Sequence, residues 1–257
     1  MAEALLADRT RDRIDIGYTD ADAAALNAEL ADLDTHAFLE AMLTEIAPGE
    51  IAMVSSFGAD SAALLHMVAA VDRNIPVVFL ETGKHFPETL AYRDRLAARL
   101  GLTALRNIEP DVADLAAKDD KGLRWSYDPD GCCELRKVKP LGRAMEGFGG
   151  TITGRKAFQA ETRAALPRVE AEDGRLKLNP IIDWSADDLT AYFEKHDLPR
   201  HPLLAEGYPS IGCAPCTSKV KPGEDPRSGR WRGWDKTECG IHVDGSEDGD
   251  FSELPSF

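Results

Sequence analysis

Short apolar runs alternate with segments of helical spacing along the first two thirds of the chain. The runs that predict buried strands are IAMVS (51–55), IPVVFLE (75–81), TALRNI (103–108) and GTITG (150–154). Helical spacing follows the first two runs, over 62–71 and over 87–101. Alternating strands and helices form parallel sheets covered on both faces, and such sheets bind ligands at the carboxyl ends of their strands. The loops 56–61 and 82–86 are therefore the first candidate binding loops.

Other helices are predicted on both sides of this alternating region. They cover 1–34, 35–47 with Thr35 as its cap, 134–147, and Ser185 to about His196, the last with a capping-box pattern. Pro, Gly and charged residues dominate after Leu198. We therefore expect 199–257 to be mostly irregular, with a disordered acidic end.

The chain has 257 residues and a formal net charge of -15, and 43% of its residues are hydrophobic. This length fits one large α/β domain or two small ones. No stretch approaches the roughly 18 consecutive apolar residues of a membrane span, and the N-terminus turns charged too early for a signal peptide. The acidic balance argues against a general nucleic-acid binder. We expect a cytoplasmic protein with neither a membrane nor a nucleic acid as partner.

One segment departs from this acidic balance. Residues 219–236 hold six basic and three acidic residues, whereas residues 1–50 hold twelve acidic and three basic ones. A basic segment in an acidic chain suggests a local anion site, and a solvated loop is the plainer alternative.

Five cysteines form two close pairs and a lone fifth residue. Cys132 and Cys133 are adjacent, Cys213 and Cys216 stand in CAPC, and Cys239 follows. A reducing compartment disfavours structural disulfides, so the pairs indicate a metal centre and the fifth residue a reactive thiol. Adjacent cysteines point in different directions and can reach different irons of one 4Fe-4S cluster, which four thiolates saturate. A zinc site, which usually presents two spaced pairs, and four core cysteines without metal are the alternatives.

The loop after the first predicted strand has features of an anion site. It holds Ser55, Ser56 and Gly58, and Ser61 lies where the next helix begins. Gly58 permits close backbone approach, and a helix N-terminus offers unpaired N–H groups to an anion. Neither a Walker A loop nor GxGxxG is present, so an ordinary strand-to-helix turn is the alternative. The loop resembles the SxGxDS loop of the ATP-pyrophosphatase-like nucleotide hydrolases.

Longer motifs resemble the assimilatory adenylyl-sulfate reductases, which belong with the phosphoadenylyl-sulfate reductases. They are GCCELRKVKPL (131–141), SIGCAPCTSKV (210–220), EDPRSGRW (224–231) and KTECGIH (236–242). FLETGKHFPET (79–89) is similar to the family's LDTG-type loop with Glu81 in place of Asp, and TGRKAFQAETRA (153–164) is similar to its substrate segment with Arg155-Lys156 in place of paired arginines. The resemblance runs from about residue 50 to 243.

The resemblance implies an α/β fold, a Rossmann-like parallel sheet of the adenine-nucleotide alpha-hydrolase type with a mostly irregular C-terminal segment. We divide the chain into an N-terminal helical segment (1–48), a nucleotide-binding reductase domain with the cluster (49–220), and a C-terminal catalytic segment with an acidic tail (221–257). The implied reaction converts adenylyl sulfate and reduced thioredoxin to sulfite, AMP and oxidised thioredoxin. It places the protein in sulfate assimilation and cysteine biosynthesis.

The resemblance also implies roles for single residues. Cys239 is the nucleophile that forms an S-sulfocysteine, and Cys132, Cys133, Cys213 and Cys216 hold the 4Fe-4S cluster. The predicted substrate-binding residues are Ser55, Ser56, Gly58, Ser61, Thr82, Gly83, Lys137, Lys156, Gln159, Arg227, Arg230 and His242.

Three other functions are open at this point. Phosphoadenylyl sulfate is the nearest alternative substrate, although its reductases usually lack the cluster cysteines. An ATP-dependent tRNA thiolase shares the loop type but needs a nucleic-acid surface, which a net charge of -15 disfavours. A non-enzymatic zinc module would use the four paired cysteines alone. The sequence also leaves open whether the protein forms a homo-oligomer.

Overall fold

The computed structural model describes residues 17–159, 163–236 and 238–241. Its centre is a six-stranded sheet. The strands are β1 (Ile51–Val54), β2 (Val77–Leu80), β3 (Leu105–Ile108), β4 (Gly150–Ile152), β5 (Val169–Glu172) and β6 (Arg175–Leu178). They lie in the order β3-β2-β1-β4-β6-β5, and all neighbours are parallel except β5 and β6. The predicted parallel α/β sheet is therefore confirmed.

Helices surround this sheet. They are α1 (Asp20–Glu29), α2 (Thr35–Glu40), α3 (Ser61–Val71), α4 (Pro87–Leu100), α5 (Val112–Lys118), α6 (Pro129–Cys133), α7 (Lys139–Ala144) and α8 (Ala186–Lys195). A π-helical turn extends α2 over Ala41–Ile46, and another joins α6 to α7 over Glu134–Val138. The predicted irregular region after Leu198 holds only short 3-10 turns within its described part, including Pro202–Leu204 and Ala214–Cys216.

Alternation along the strands divides the core between the two faces of the sheet. Ile51 and Met53 of β1 belong to the larger core cluster, while Ala52 between them belongs to a smaller cluster with Leu80 and Met145. This is the period of two that a pleated strand imposes. Burial of each large aliphatic side chain contributes roughly 1.5–3 kcal/mol, so both clusters hold helices against the sheet.

One predicted helix cap and one predicted helix start were wrong. Asp34, not Thr35, caps α2, because its Oδ1 accepts a hydrogen bond from the Ala37 N–H at 2.9 Å. The helix predicted from residue 134 begins instead at Pro129, because the Asp128 carboxylate accepts a bond from the Gly131 N–H at 2.7 Å. Cys132 and Cys133 therefore lie within a helix rather than before one.

Other predictions had mixed outcomes. The capping box at Ser185 is confirmed, since its Oγ accepts a bond from the Asp188 N–H at 3.1 Å. Of the predicted 1–34 helix, α1 is the described part, and residues 1–16 lie outside the described residues, as does the acidic end. The hairpin β5–β6 and helix α5 were not predicted. No helix in the described parts of the chain has the length and apolar character needed to cross a membrane.

Candidate active site

The loop after β1 folds tightly against the segment that precedes the second cysteine pair. The buried Ser55 Oγ accepts a hydrogen bond from the Phe57 N–H at 3.2 Å, and Phe57 has a positive φ of 49°. A Cβ built on Gly58 would lie 3.3 Å from Ser56 Oγ and 3.5 Å from the Ile211 carbonyl oxygen. A side chain at residue 58 would therefore crowd both the loop and its neighbour.

A lysine from the segment after β4 meets this loop at the start of α3. Asp60 precedes Ser61 at the helix N-terminus but makes no capping bond. Its carboxylate instead pairs with Lys156 Nζ at 3.1 Å and accepts a bond from Gln159 Nε2 at 3.4 Å. Burial lowers the pKa of Lys156, whose residue is only 3% exposed, and Asp60 partly opposes that shift. The predicted residues Ser61, Lys156 and Gln159 are thus brought together.

The loop after β2 supports the cysteines. Thr82 is fully buried, and its Oγ1 lies 3.4 Å from Cys213 Sγ. The Thr82 carbonyl accepts a bond from Arg136 at 2.7 Å, and Arg136 also pairs with buried Asp119 at 2.7 Å. Gly83 adopts a φ of 67°, which favours glycine. Thr82 therefore lies against a predicted cluster ligand.

All four paired cysteines line one small cavity. Cys132 and Cys133 lie on α6. Cys216 lies in the turn Ala214–Cys216, and Cys213 directly precedes that turn. Burial raises the pKa of Cys132 and of Cys216 to about 11. Across the described ranges, no three His, Cys, Asp or Glu side chains are arranged to hold a single metal ion.

Cys239 lies beside this cavity because the last described residues fold back onto the sheet. Ile241 packs on the smaller core cluster, and a Cβ on Gly240 would lie 3.0 Å from Val138 Cγ2. Burial raises the pKa of Cys133, and the sulfur of Cys239 adds to that rise. Cys239 itself is partly exposed. A partly exposed thiol is thus held next to the four paired cysteines, three of which are buried.

Lys137 connects the cysteine cavity with Cys239. It follows Cys133 by one helical turn and is partly buried. Burial alone would lower the pKa of Lys137, but three neighbouring sulfurs raise it above its ordinary value. These sulfurs belong to Cys213, Cys239 and Cys133. An ammonium group therefore lies near both the predicted cluster ligands and the predicted nucleophile.

Two arginines converge on Glu238, the residue before Cys239. Arg163 pairs with Glu238 Oε1 at 2.7 Å, and Arg227 pairs with Glu238 Oε2 at 3.3 Å. The three side chains are largely buried, with exposed fractions of 8% for Arg163, 21% for Arg227 and 12% for Glu238. Arg227 was a predicted substrate residue, whereas Arg163 and Glu238 were not.

Arg230 approaches the same site from the isolated bridge that it forms with Thr217. Its guanidinium carbon lies 4.4 Å from the centre of the Trp231 ring, and its buried Nε has no hydrogen-bond partner among the described residues. A Cβ on Gly212 would lie 2.3 Å from an Arg230 terminal nitrogen. Glycine at residue 212 therefore gives the guanidinium its space.

The larger surface groove, between α1 and β5, lies at the far edge of the sheet. Its lining includes four acidic residues, Asp20, Glu170, Glu172 and Asp173. Such a groove repels anions, so the basic site around Lys137 is the better candidate for an anionic ligand.

Three residues of this site were not predicted from the sequence, and one predicted substrate-binding residue lies outside the described residues. Arg163 and Glu238 stand inside the motifs TGRKAFQAETRA and KTECGIH, so their motifs were the available signal. Asp60 stands inside the serine loop. His242 lies outside the described residues. Arg155, which neighbours Lys156, pairs with Glu170 of β5 and donates to Asn179 at 3.0 Å, away from the site.

The fold and site define an α/β protein with a nucleotide-type sheet and a site that brings cysteines and basic residues together. Residues 50–219 match the model of the phosphoadenosine phosphosulfate reductase domain. The adenosine 5'-phosphosulfate reductase of Mesorhizobium japonicum is 52% identical over 227 residues, which cover 88% of this chain and 89% of that protein. The phosphoadenosine 5'-phosphosulfate reductase of Gloeobacter violaceus is 42% identical, over 76% of this chain and 83% of that protein.

A solved structure supports the same relationship. The phosphoadenylyl-sulfate reductase of Candida auris, a phosphate complex, superposes with a TM-score of 0.66 and 27% identity, covering 80% of this chain and 99% of that one. The predicted fold type and family are therefore confirmed. The chain belongs to the phosphoadenosine phosphosulfate reductase family.

Proposed function

We propose that this protein reduces adenylyl sulfate to sulfite and AMP, with Cys239 as the nucleophile and reduced thioredoxin as the electron donor. The observation that carries the proposal is the position of Cys239. This partly exposed residue lies near two cationic groups, Lys137 and Arg227, and beside the four paired cysteines, three of which are buried. The 52% identity to a relative named adenosine 5'-phosphosulfate reductase supports the choice of substrate.

The chemistry of the substrate explains why a thiolate and fixed cations are needed together. The sulfur of adenylyl sulfate is electrophilic because AMP is a good leaving group. The Cys239 thiolate attacks that sulfur, a sulfur–sulfur bond forms, and the bond from sulfur to the phosphate oxygen breaks with its electron pair leaving on AMP. A thiolate of thioredoxin then attacks the Cys239 sulfur, which forms a mixed disulfide and releases sulfite. The second thioredoxin thiolate attacks the thioredoxin sulfur of that disulfide, which closes the thioredoxin disulfide and frees the Cys239 thiolate. The dithiol supplies both electrons.

The cationic residues offset the repulsion between an anionic nucleophile and an anionic substrate. Lys137 and Arg227 lie next to Cys239, and Lys156 stands at the start of α3, where the serine loop offers backbone N–H groups. Fixed positive charge at such a site stabilises the negative charge that builds on the leaving phosphate. Lys156 and Arg227 are paired with Asp60 and Glu238, so these carboxylates hold the cations in place before substrate binds.

The four-cysteine cavity fits a 4Fe-4S cluster by donor chemistry. Four thiols that line one cavity match the four ligands that such a cluster takes. Cys132, Cys133, Cys213 and Cys216 would hold the cluster, which would supply structural stabilisation and charge. The reaction needs no electron from it, because the dithiol donor brings two.

Phosphoadenylyl sulfate is the second candidate substrate, and the 42% identical Gloeobacter violaceus relative favours testing it. Anaerobically purified protein is assayed for sulfite with each substrate and reduced thioredoxin, with omission of thioredoxin as the control. We expect a higher kcat/KM with adenylyl sulfate. A higher kcat/KM with phosphoadenylyl sulfate would show that this compound is the preferred substrate. Absence of sulfite with both compounds would refute the proposed reaction.

A further inference from the structure

Glu238 is a buried carboxylate between two arginines, immediately before the nucleophile. Arg163 approaches both carboxylate oxygens, with one terminal nitrogen 2.7 Å from Oε1 and 2.9 Å from Oε2, and an Arg227 nitrogen lies 3.3 Å from Oε2. Its side chain is only 12% exposed. Charge-assisted bonds in such a partly desolvated place are stronger than surface ion pairs.

The two arginines come from different parts of the chain, so the ion pairs tie the end of the chain to the body of the protein. Arg163 follows the segment of Lys156 and Gln159, and its NH1 donates to Gln159 Oε1 at 2.9 Å. Arg227 belongs to the basic segment after the second cysteine pair. The described backbone around Cys239 forms no strand or helix that would fix the sulfur independently.

We propose that Glu238 is a positioning residue, which clamps the chain end between Arg163 and Arg227 so that the Cys239 sulfur stays beside Lys137. The effect on catalysis rests on the proposed function, whereas the clamp itself does not depend on which reaction the protein catalyses. A misplacement of about 1 Å costs on the order of a hundredfold in rate when reacting groups must be aligned. Because Glu238 directly precedes Cys239, loss of the clamp would release the backbone next to the nucleophile on one side, while Ile241 still packs on the core.

The test compares Glu238→Gln with a matched control, Glu224→Gln. Glu224 lies in the same C-terminal segment and pairs with Arg232 at 3.3 Å, but that pair is exposed. In the cluster-loaded full-length protein, the rate of Cys239 alkylation by iodoacetamide is followed by peptide mass spectrometry. Sulfite formation is measured in parallel to separate kcat from KM.

For Glu238→Gln we expect faster alkylation of Cys239 and a fall in kcat of about tenfold to a hundredfold, the range for a lost charged hydrogen bond. KM should rise much less than kcat falls, because neither arginine is removed. Glu238→Asp keeps the charge and should give intermediate values, and Glu224→Gln should match the wild type in both rates. Iron content and melting temperature report whether each variant folds.

The outcomes separate this inference from the proposed function. An active wild-type enzyme whose Glu238→Gln variant keeps its kcat and its alkylation rate would overturn the clamp. A rise in kcat would also overturn it, since Glu238 would then be a competitor of substrate. If the wild type forms no sulfite, the reaction proposal fails, while the alkylation rates still decide whether Glu238 holds Cys239.

Discussion

Arg230 carries a buried Nε that has no hydrogen-bond partner among the described residues. Leaving a buried polar group unsatisfied costs about 1–3 kcal/mol, more when the group is charged. The stacked Trp231 ring and the small Gly212 hold the guanidinium in place despite this cost. We therefore expect the Arg230 guanidinium to contact an anionic ligand.

Removal of Arg230 should therefore weaken substrate binding or turnover. We expect Arg230→Ala to lower kcat/KM by about tenfold to a hundredfold, as a charge-assisted bond to an anion contributes roughly 1.5–3 kcal/mol. Arg232→Ala is the matched control, because Arg232 is 49% exposed and pairs only weakly with Glu224. Equal steady-state kinetics in the two variants would place Arg230 outside the substrate site.

Cys239 is partly exposed and lies outside the two cysteine pairs that line the cavity, so its loss should be specific. We expect Cys239→Ser to fold, to keep its iron and to bind adenylyl sulfate, but to release no sulfite. A serine hydroxyl is barely ionised near neutrality and is a poor nucleophile toward sulfur. Sulfite production, iron analysis and equilibrium binding measure the three properties. Reductase activity in this variant would refute the role of Cys239 as nucleophile.

Helices and strands with a strong apolar pattern were predictable, and elements defined by local polar contacts were less so. The four-residue apolar run of β2 is fully buried, and its strand was found from sequence. By contrast, β5 (VEAE) and β6 (RLKL) carry charges, because β5 is the sheet edge and Arg155 and Lys177 neutralise the carboxylates Glu170 and Glu172. Edge strands with paired charges lack the hydrophobic run that predicts a buried strand.

The residues of the candidate site also differ in how well the sequence predicts them. The cysteines, Lys137 and Arg230 were predicted because motifs carry them. Asp60 pairs with Gln159, which is 99 residues away along the chain. Glu238 pairs with Arg227 and Arg163, which are 11 and 75 residues away. No local sequence pattern predicts such pairs. The fold creates these contacts by joining the start of α3, the segment after β4 and the chain end.

His201, which directly precedes the turn Pro202–Leu204, makes a pH-dependent contact with α4. His201 is 1% exposed, its Nε2 lies 3.1 Å from Thr89 Oγ1, and its Nδ1 accepts a bond from the Leu203 N–H at 3.2 Å. Burial lowers the pKa of His201 from 6.5 to about 4. Folding therefore favours the neutral ring, and this contribution to stability is complete above pH 6.5 and is lost as the pH falls toward 4.

Substitution of His201 should remove that part of the pH dependence. A pKa decrease from 6.5 to about 4 corresponds to about 3 kcal/mol. We expect the free energy of unfolding of wild type to fall by about this amount more than that of His201→Asn between these pH values. Asn keeps an oxygen for the Leu203 N–H, and carboxylates titrate equally in both proteins. Parallel pH profiles from chemical denaturation would contradict the assignment.

Across the whole molecule, the paired cysteines join two distant parts of the chain. Cys132 and Cys133 lie on α6, and Cys213 and Cys216 lie some eighty residues later, yet they share one cavity. A cluster bound there would cross-link the two segments and close a long loop of the chain, which stabilises a folded protein by limiting the unfolded state. The division into segments 1–48, 49–220 and 221–257 stays a prediction.

Loss of one cluster ligand should thus affect the entire fold. We expect Cys132→Ser and Cys213→Ser to lose iron and sulfide and to melt at a lower temperature than wild type. Cys239→Ser is the control that removes a thiol without removing a ligand. Iron and sulfide analysis, visible absorbance and thermal melts measure these effects in anaerobically purified protein. Full iron content in either ligand variant would show that the cluster assignment is wrong.

The central claim is that the sulfur of Cys239 bonds covalently to the sulfur of the substrate. Wild-type protein is incubated anaerobically with adenylyl sulfate in the absence of thioredoxin, then digested and examined by mass spectrometry. We expect the mass of one sulfonate on the peptide that contains Cys239, together with release of AMP, and loss of that mass with release of sulfite when reduced thioredoxin is added. A sulfonate on another cysteine, or sulfite formation without any modified Cys239, would contradict the mechanism.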